Sequence, residues 1–331
     1  MMFSLIQARA AWATLKSTTC RREHSVMKTL TPALFLTVLL AMSASSQTNL
    51  TDSMYRAYDG EGNPVTLDAI VKAMAGSDAV FLGEEHDDAV AHGLEAELFR
   101  RAVTTYSPQR KVALSMEMFE RDVQIVVDEY LGGLISESHF LMSSRPWGNY
   151  KSDYRPLVEL AKERHLDVIA ANAPRRYVNM VSRGGREALN ALSKQAKDWI
   201  APLPYPEPSV AYRDKFNSIM GVNNSGPSPM SPNTIGNLIY SQALWDATMG
   251  NSVAGYLSQN KDSLVVQLNG AFHTESRLGT IEQLMNYRPK TKAIVVTMQY
   301  EEDITKFDQT KHKGIGDFVI LTDAKQPRSK Q

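Results

Sequence analysis

The chain reads as an α/β protein: a three-layer α/β/α fold with a mainly parallel central sheet and a smaller helical insertion. Three observations predict this. From Gln47 onward, short apolar runs alternate with amphipathic stretches, the pattern of βα units. Five of those runs read as strands buried in the sheet, as a parallel sheet covered by helices requires. The stretch from Arg175 to Gly255 breaks the pattern, holding helical pieces and no convincing strand.

The strands are expected at 79–82, 112–116, 167–171, 264–268 and 293–297, and the leading helices at 67–75, 88–105, 119–131 and 155–164. The insertion spans about 176–258, with helical pieces at 185–199 and 234–257. Between them, Pro202 to Pro232 is rich in Pro, Gly, Ser and Asn and reads as a long irregular loop, a candidate lid. After Asp317, the apolar FVILTD reads as one more edge strand, followed by a polar, disordered end.

Residues 1–46 read as a cleaved signal peptide with an upstream segment. The apolar run at 30–44 follows Lys28 and Arg21-Arg22 and ends in small residues that suit cleavage near Ser46/Gln47. It falls short of the about 20 apolar residues of a spanning helix. Met27 opens a more conventional signal than Met1 does. The expectation is an exported protein, periplasmic or associated with the cell envelope, with one domain over 47–331.

Composition narrows the chemistry. Cys20 is the only cysteine and lies in the segment expected to be removed, which excludes a disulfide, a thiolate metal site and a cysteine nucleophile. Lys+Arg and Asp+Glu both number 36, so no basic excess points to nucleic acid.

In open parallel sheets, ligands bind where loops leave the carboxyl ends of the strands. Four expected strands run directly into polar groups there. The first meets Gly83-Glu84-Glu85-His86, the second Glu117, the third Asn172 to Arg175, and the fourth Gly270-Ala271-Phe272-His273. In each Gly-x-x-His, glycine lets the backbone turn sharply off the strand. His86, Glu117 and His273 make a reasonable ligand set for a divalent metal such as Zn or Mn. Imidazoles can equally sit against a haem. Glu117 has a competing role as a cap on the following helix, and Asn172 and Arg175 as turn residues. The aromatic and polar segment 145–156 reads as a ligand-lining loop or as a plain packed one. His139 and His165 read as surface or packing residues, and Trp245 and Met249 as core packing on a helix.

The runs FLGEEHDD, SMEMFERD, WGNYKSDYRPLVELAKERHLDVIAANAPRR, QALWDATM and LNGAFHTESRLGT resemble the ChaN-type haem-binding uptake proteins. These are similar in turn to the Tiki/TraB and erythromycin-esterase group. The resemblance spans about Ala79 to Gln299, with the motifs in the expected order. It implies haem binding in an exported iron-acquisition protein, between two subunits of a homodimer, with a peripheral membrane or transport-system partner. It also implies a polar centre, carried here by His86, His273, Glu84 or Glu85, and Glu117. Ferric haem often takes a tyrosinate ligand, for which Tyr150 and Tyr154 are the candidates. One departure stands out: several members are lipoproteins, and this chain lacks the lipidation cysteine.

Two functions stay open at this point. One is haem binding without catalysis. The other is a hydrolase of esters or peptides, with His86, Glu117 and His273 holding a metal or one histidine acting as general base, and Arg175 stabilising negative charge.

Overall fold

The computed structural model describes residues 50–221 and 231–330. The signal peptide, its cleavage point, Cys20 and residues 222–230 of the expected loop lie outside the described residues.

The strands, in chain order, are β1 (Tyr55–Asp59), β2 (Pro64–Val65), β3 (Ala79–Glu84), β4 (Val112–Glu120), β5 (Val168–Asn172), β6 (Leu264–Gly270), β7 (Ala293–Glu301) and β8 (Phe318–Asp323). They form one sheet in the order β2-β1-β8-β7-β3-β6-β4-β5. The six strands from β8 to β5 are parallel, and β1 and β2 add an antiparallel edge.

Alternation along each strand sends neighbouring side chains to opposite faces. Val80, Leu82, Leu114 and Val266 enter one core with α1 (Leu67–Ala73), α2 (Ala89–Tyr106), α3 (Gln124–Leu131), α4 (Glu137–Ser144) and α5 (Arg155–Glu163). Ala79, Phe81, Val265 and Val295 enter the opposite core. There they meet α9 (Pro232–Gln259) and α10 (Thr280–Tyr287). Both faces are therefore covered, and the strands are mainly apolar for that reason. Each fully buried Leu, Val or Phe contributes about 1.5–3 kcal/mol.

The stretch between β5 and β6 is helical. α6 (Arg175–Gly184), α7 (Lys194–Asp198) and α8 (Val210–Ile219) precede α9. No strand occurs among its described residues. The 185–199 piece is broken into a 3-10 turn at Arg186–Ala191 and α7. The Pro202–Pro232 stretch is not wholly irregular, because α8 lies within it. Ser209 Oγ accepts from Tyr212 N at 3.1 Å and starts that helix.

Several expectations require correction. The strand after Asp317 is not an edge: β8 pairs with β7 on one side and β1 on the other. The end beyond it docks onto the sheet's upper loops, with an antiparallel bridge between Asp88 and Arg328. The helix expected at 119–131 begins later, because β4 runs on to Glu120 past an irregularity in its pairing with β5. Glu117 is therefore a strand residue and caps no helix. The β1–β2 hairpin and α4 are additions that the apolar pattern did not announce. His139 and His165 are exposed, as expected. Met249 is core, but Trp245 is only half-buried and faces the cavity described next.

Candidate functional site

β3, β6, β4 and β5 are consecutive in the sheet, so the four polar strand ends lie side by side. Above them is a cavity of about 760 Å³. His86, Glu117, Asn172, Arg175 and His273 all line it. Its aromatic walls are Trp147, Trp245 and Phe272, with Arg145 and Gln242 also present.

The fold aims each histidine by its Nδ1 atom. His86 Nδ1 lies 2.9 Å from Glu84 Oε1. The ring stands edge-on to Trp147, with centroids 4.7 Å apart. Its Nε2 is left to the cavity, over Gly270, where a Cβ would approach within 2.8 Å of the ring. His273 Nδ1 lies 2.8 Å from Asp246 Oδ1. Asp246 is buried on α9 and also accepts from Thr280 Oγ1 at 2.8 Å and Tyr212 OH at 2.5 Å. Glu117 Oε2 accepts from Gly270 N at 2.8 Å, while Oε1 faces His273 Nε2 at 3.6 Å.

A second layer of charge lies behind His86. Glu84 is fully buried and accepts from Tyr154 OH at 2.5 Å. Its Oε2 forms an ion pair with His92 Nε2 at 3.0 Å, and His92 Nδ1 lies 3.3 Å from Asp153 Oδ2. Burial works against the charge on Glu84, but His92 and His86 outweigh it and hold the carboxyl well below its usual range. Burial likewise opposes charge on His92, yet Glu84 and Asp153 push its pKa up to about 10. In the same way, Asp246 and Glu117 overcome burial and push His273 up to about 9. His86 is also raised: burial lowers it, but the Glu84 hydrogen bond and the Glu117 charge prevail. At neutral pH His273 is therefore held protonated beside Glu117 and Asp246.

The remaining candidates sit as follows. Asn172 is buried; its Nδ2 donates to Glu117 O at 3.0 Å, and its Oδ1 accepts from Ala173 N at 2.9 Å. The Arg175 guanidinium forms no ion pair among the described residues and lies 5.7 Å from the Trp147 ring centroid. Glu85 is half-buried and does not line the cavity; burial and the charge of Glu275 raise its pKa.

Neither tyrosine candidate reaches the cavity. Tyr150 packs against Phe119 and Phe140, and Tyr154 is spent on Glu84 and His92. Burial pushes both hydroxyls well above the ordinary phenol value, away from tyrosinate.

Among the described residues, no group of three or more His, Cys, Asp or Glu side chains is arranged to hold a metal ion. Glu117 is engaged through both oxygens, Oε2 by the Gly270 amide and Oε1 opposite His273 Nε2. The divalent-metal set of His86, Glu117 and His273 is not supported by this geometry.

Sequence reasoning missed Asp246, Trp245, Gln242, Arg145 and Phe272 as site residues, and also the burial of His92. Phe272 lies inside the second Gly-x-x-His, and Arg145 and Trp147 inside the aromatic segment, so those two stretches carried a signal. Asp246 carried none, since one acid in a long helix is unremarkable.

Residues 70–284 match the family described as haem-binding uptake, Tiki superfamily, ChaN. The chain belongs to this family. No curated protein matches it in sequence. Among solved structures it is similar to ChaN of Campylobacter jejuni, described as binding haem cofacially. Identity is 16%, coverage is 82% of this chain and 98% of that one, and the TM-score is 0.65. It is more remotely similar to the type III effector HopBA1, at 12% identity, 78% and 93% coverage and a TM-score of 0.46. An erythromycin esterase EreC variant in its open conformation matches at 10% identity, 74% and 77% coverage and a TM-score of 0.43. The Campylobacter ChaN likeness shows a shared fold; the site argument rests on this chain's own residues. Among those described, no helix is long and apolar enough to cross a membrane.

Proposed function

We propose that this ChaN-family chain binds haem in the cavity above β3, β6, β4 and β5, as an exported protein of haem and iron uptake. The observation that carries the reading is the cavity itself: aromatic walls beside the guanidinium of Arg175, which forms no ion pair among the described residues. Haem supplies a flat apolar macrocycle, two carboxylates and an iron that accepts axial ligands. Trp147, Trp245 and Phe272 suit the macrocycle. Arg175, which has no ion-pair partner among the described residues, suits a carboxylate, as guanidinium–carboxylate pairing is strong. Arg145 is a weaker candidate because Glu120 and Asp122 already hold it. An imidazole whose Nδ1 is tied to a carboxylate is oriented to ligate iron through Nε2, which fits His86 first and His273 second. Export rests on the apolar run at 30–44. A second copy of the chain and a membrane or transport-system partner complete the reading.

Titration of residues 47–331 with haemin, followed at the Soret band, tests the proposal. Saturable binding weakened by Arg175→Ala supports it, and the absence of any saturable shift overturns it.

A hydrolase is the second reading, favoured by the two carboxylate-oriented imidazoles in one cavity. It ranks second because the His273 imidazole is pushed up to about 9, which makes it a poor general base at neutral pH. Hydrolysis of an ester or peptide probe, lost in His273→Ala, would favour it.

A further inference from the structure

We infer that Arg328 and Ser329, in the C-terminal tail, are positioning residues that strap down the loop carrying His86. The inference rests on the proposed haem-binding reading only for its functional consequence; the strap itself is a matter of geometry.

The loop Glu85–Asp88 leaves β3 and must hold the His86 ring against Trp147 and over Gly270. At its far end Asp88 Oδ1 accepts from Val90 N and Ala91 N at 3.0 and 3.2 Å to start α2, and Asp88 Oδ2 accepts from Thr322 Oγ1. Asn149 Nδ2 donates to His86 O at 3.3 Å. The tail adds a further set of contacts. Arg328 forms the antiparallel bridge with Asp88. Ser329 N donates to Asp87 O at 2.7 Å. The Arg328 guanidinium donates to Asp87 Oδ1 at 2.6 Å and lies 3.9 Å from the Tyr300 ring centroid on β7. Ser329 Oγ donates to Asp153 Oδ1 at 3.1 Å. Asp153 pairs with His92, His92 with Glu84, and Glu84 with His86 Nδ1.

The tail thus touches the His86 loop twice. It holds the backbone at Asp87 and Asp88 directly, and it closes the outer end of the buried chain of groups that orients the imidazole. Backbone pairing alone would explain a docked tail. The contact of Ser329 with Asp153 is different, because it reaches a group whose other partner serves the site. Arg328 is also half-buried between the loop and β7, so it ties the His86 loop to the strand beside β3.

The experiment compares the full chain with the double variant Arg328→Ala, Ser329→Ala and with Arg328→Lys. Three readouts are taken: amide exchange of residues 85–88, the rate at which diethyl pyrocarbonate modifies His86 without ligand, and the Soret maximum of the haemin complex. The double variant is expected to speed exchange and modification by about tenfold, consistent with loss of a few charge-assisted hydrogen bonds at a local opening. It is also expected to move the Soret maximum, while Arg328→Lys restores most of each. Unchanged exchange, His86 reactivity and Soret maximum in the double variant overturn the inference. If the double variant does not fold, Ser329→Ala alone removes only the Asp153 contact and is read by the same criteria. If the unaltered chain takes up no haemin, the haem reading fails, while exchange and His86 modification still decide the strap.

Discussion

Gly270 lies directly under the His86 ring. Its φ of −57° suits alanine, so backbone strain is not at issue. A Cβ there would lie 2.8 Å from His86 Cε1 and Nε2. Gly270→Ala is therefore expected to displace the His86 ring without unfolding the chain. Haemin affinity should fall about tenfold or more, since loss of one well-placed ligand costs at least about 1.4 kcal/mol. Soret titration beside circular dichroism separates the two effects. Arg175→Ala is expected to weaken haemin binding by a similar factor by removing a cation for a propionate. Tyr150→Phe should do the opposite of what a tyrosinate ligand implies. Its hydroxyl is buried with no hydrogen-bond partner among the described residues. Removing it should leave haemin uptake unchanged and leave stability equal or higher by up to about 1 kcal/mol.

At the scale of elements, Asp246 joins three of them to α9: the loop after β6 through His273, α10 through Thr280, and α8 through Tyr212. Asp246→Ala would leave a buried imidazolium beside unpaired hydroxyls. A loss of about 3–5 kcal/mol is expected, visible as a lower denaturant midpoint. The elements themselves were unevenly legible. β3, β6 and β7 announce themselves because a strand covered by helices on both faces carries a near-continuous apolar run. β4 does not show its full length, since Glu117 and Glu120 interrupt the apolar run while the strand continues. α8 hides among prolines, although Ser209 as a cap and Tyr212 and Phe216 four apart were available signals. The C-terminal tail looked disordered because its composition is polar, yet its hydrogen bonds go to a specific loop.

At the scale of the whole molecule, the buried cluster of Glu84, His92 and Asp153 links stability to pH. The His92 pKa stands at about 10 in the folded chain against an ordinary 6.5. A raised histidine contributes stability in full below its unfolded pKa and loses it as pH rises through the folded one. The contribution of this group should therefore decline between about pH 6.5 and pH 10. His92→Gln is expected to flatten that alkaline decline in melting temperature; an identical slope in both chains would contradict it.

The sequence by itself determined the fold class, the core strands and the two Gly-x-x-His segments, because apolar runs and short motifs are local properties of the chain. The sharp glycine turn expected there is not present: both glycines lie at strand ends with ordinary φ, and Gly270 serves the close approach of His86. The sequence also placed His86 within reach of Glu84, two positions away. Only the tertiary structure decided what surrounds His273. Asp246 is 27 positions distant, and the Gly270 amide meets Glu117 across 153. Those contacts exist because β6 inserts between β3 and β4, and strand order is set by packing of the whole sheet, which no local pattern encodes.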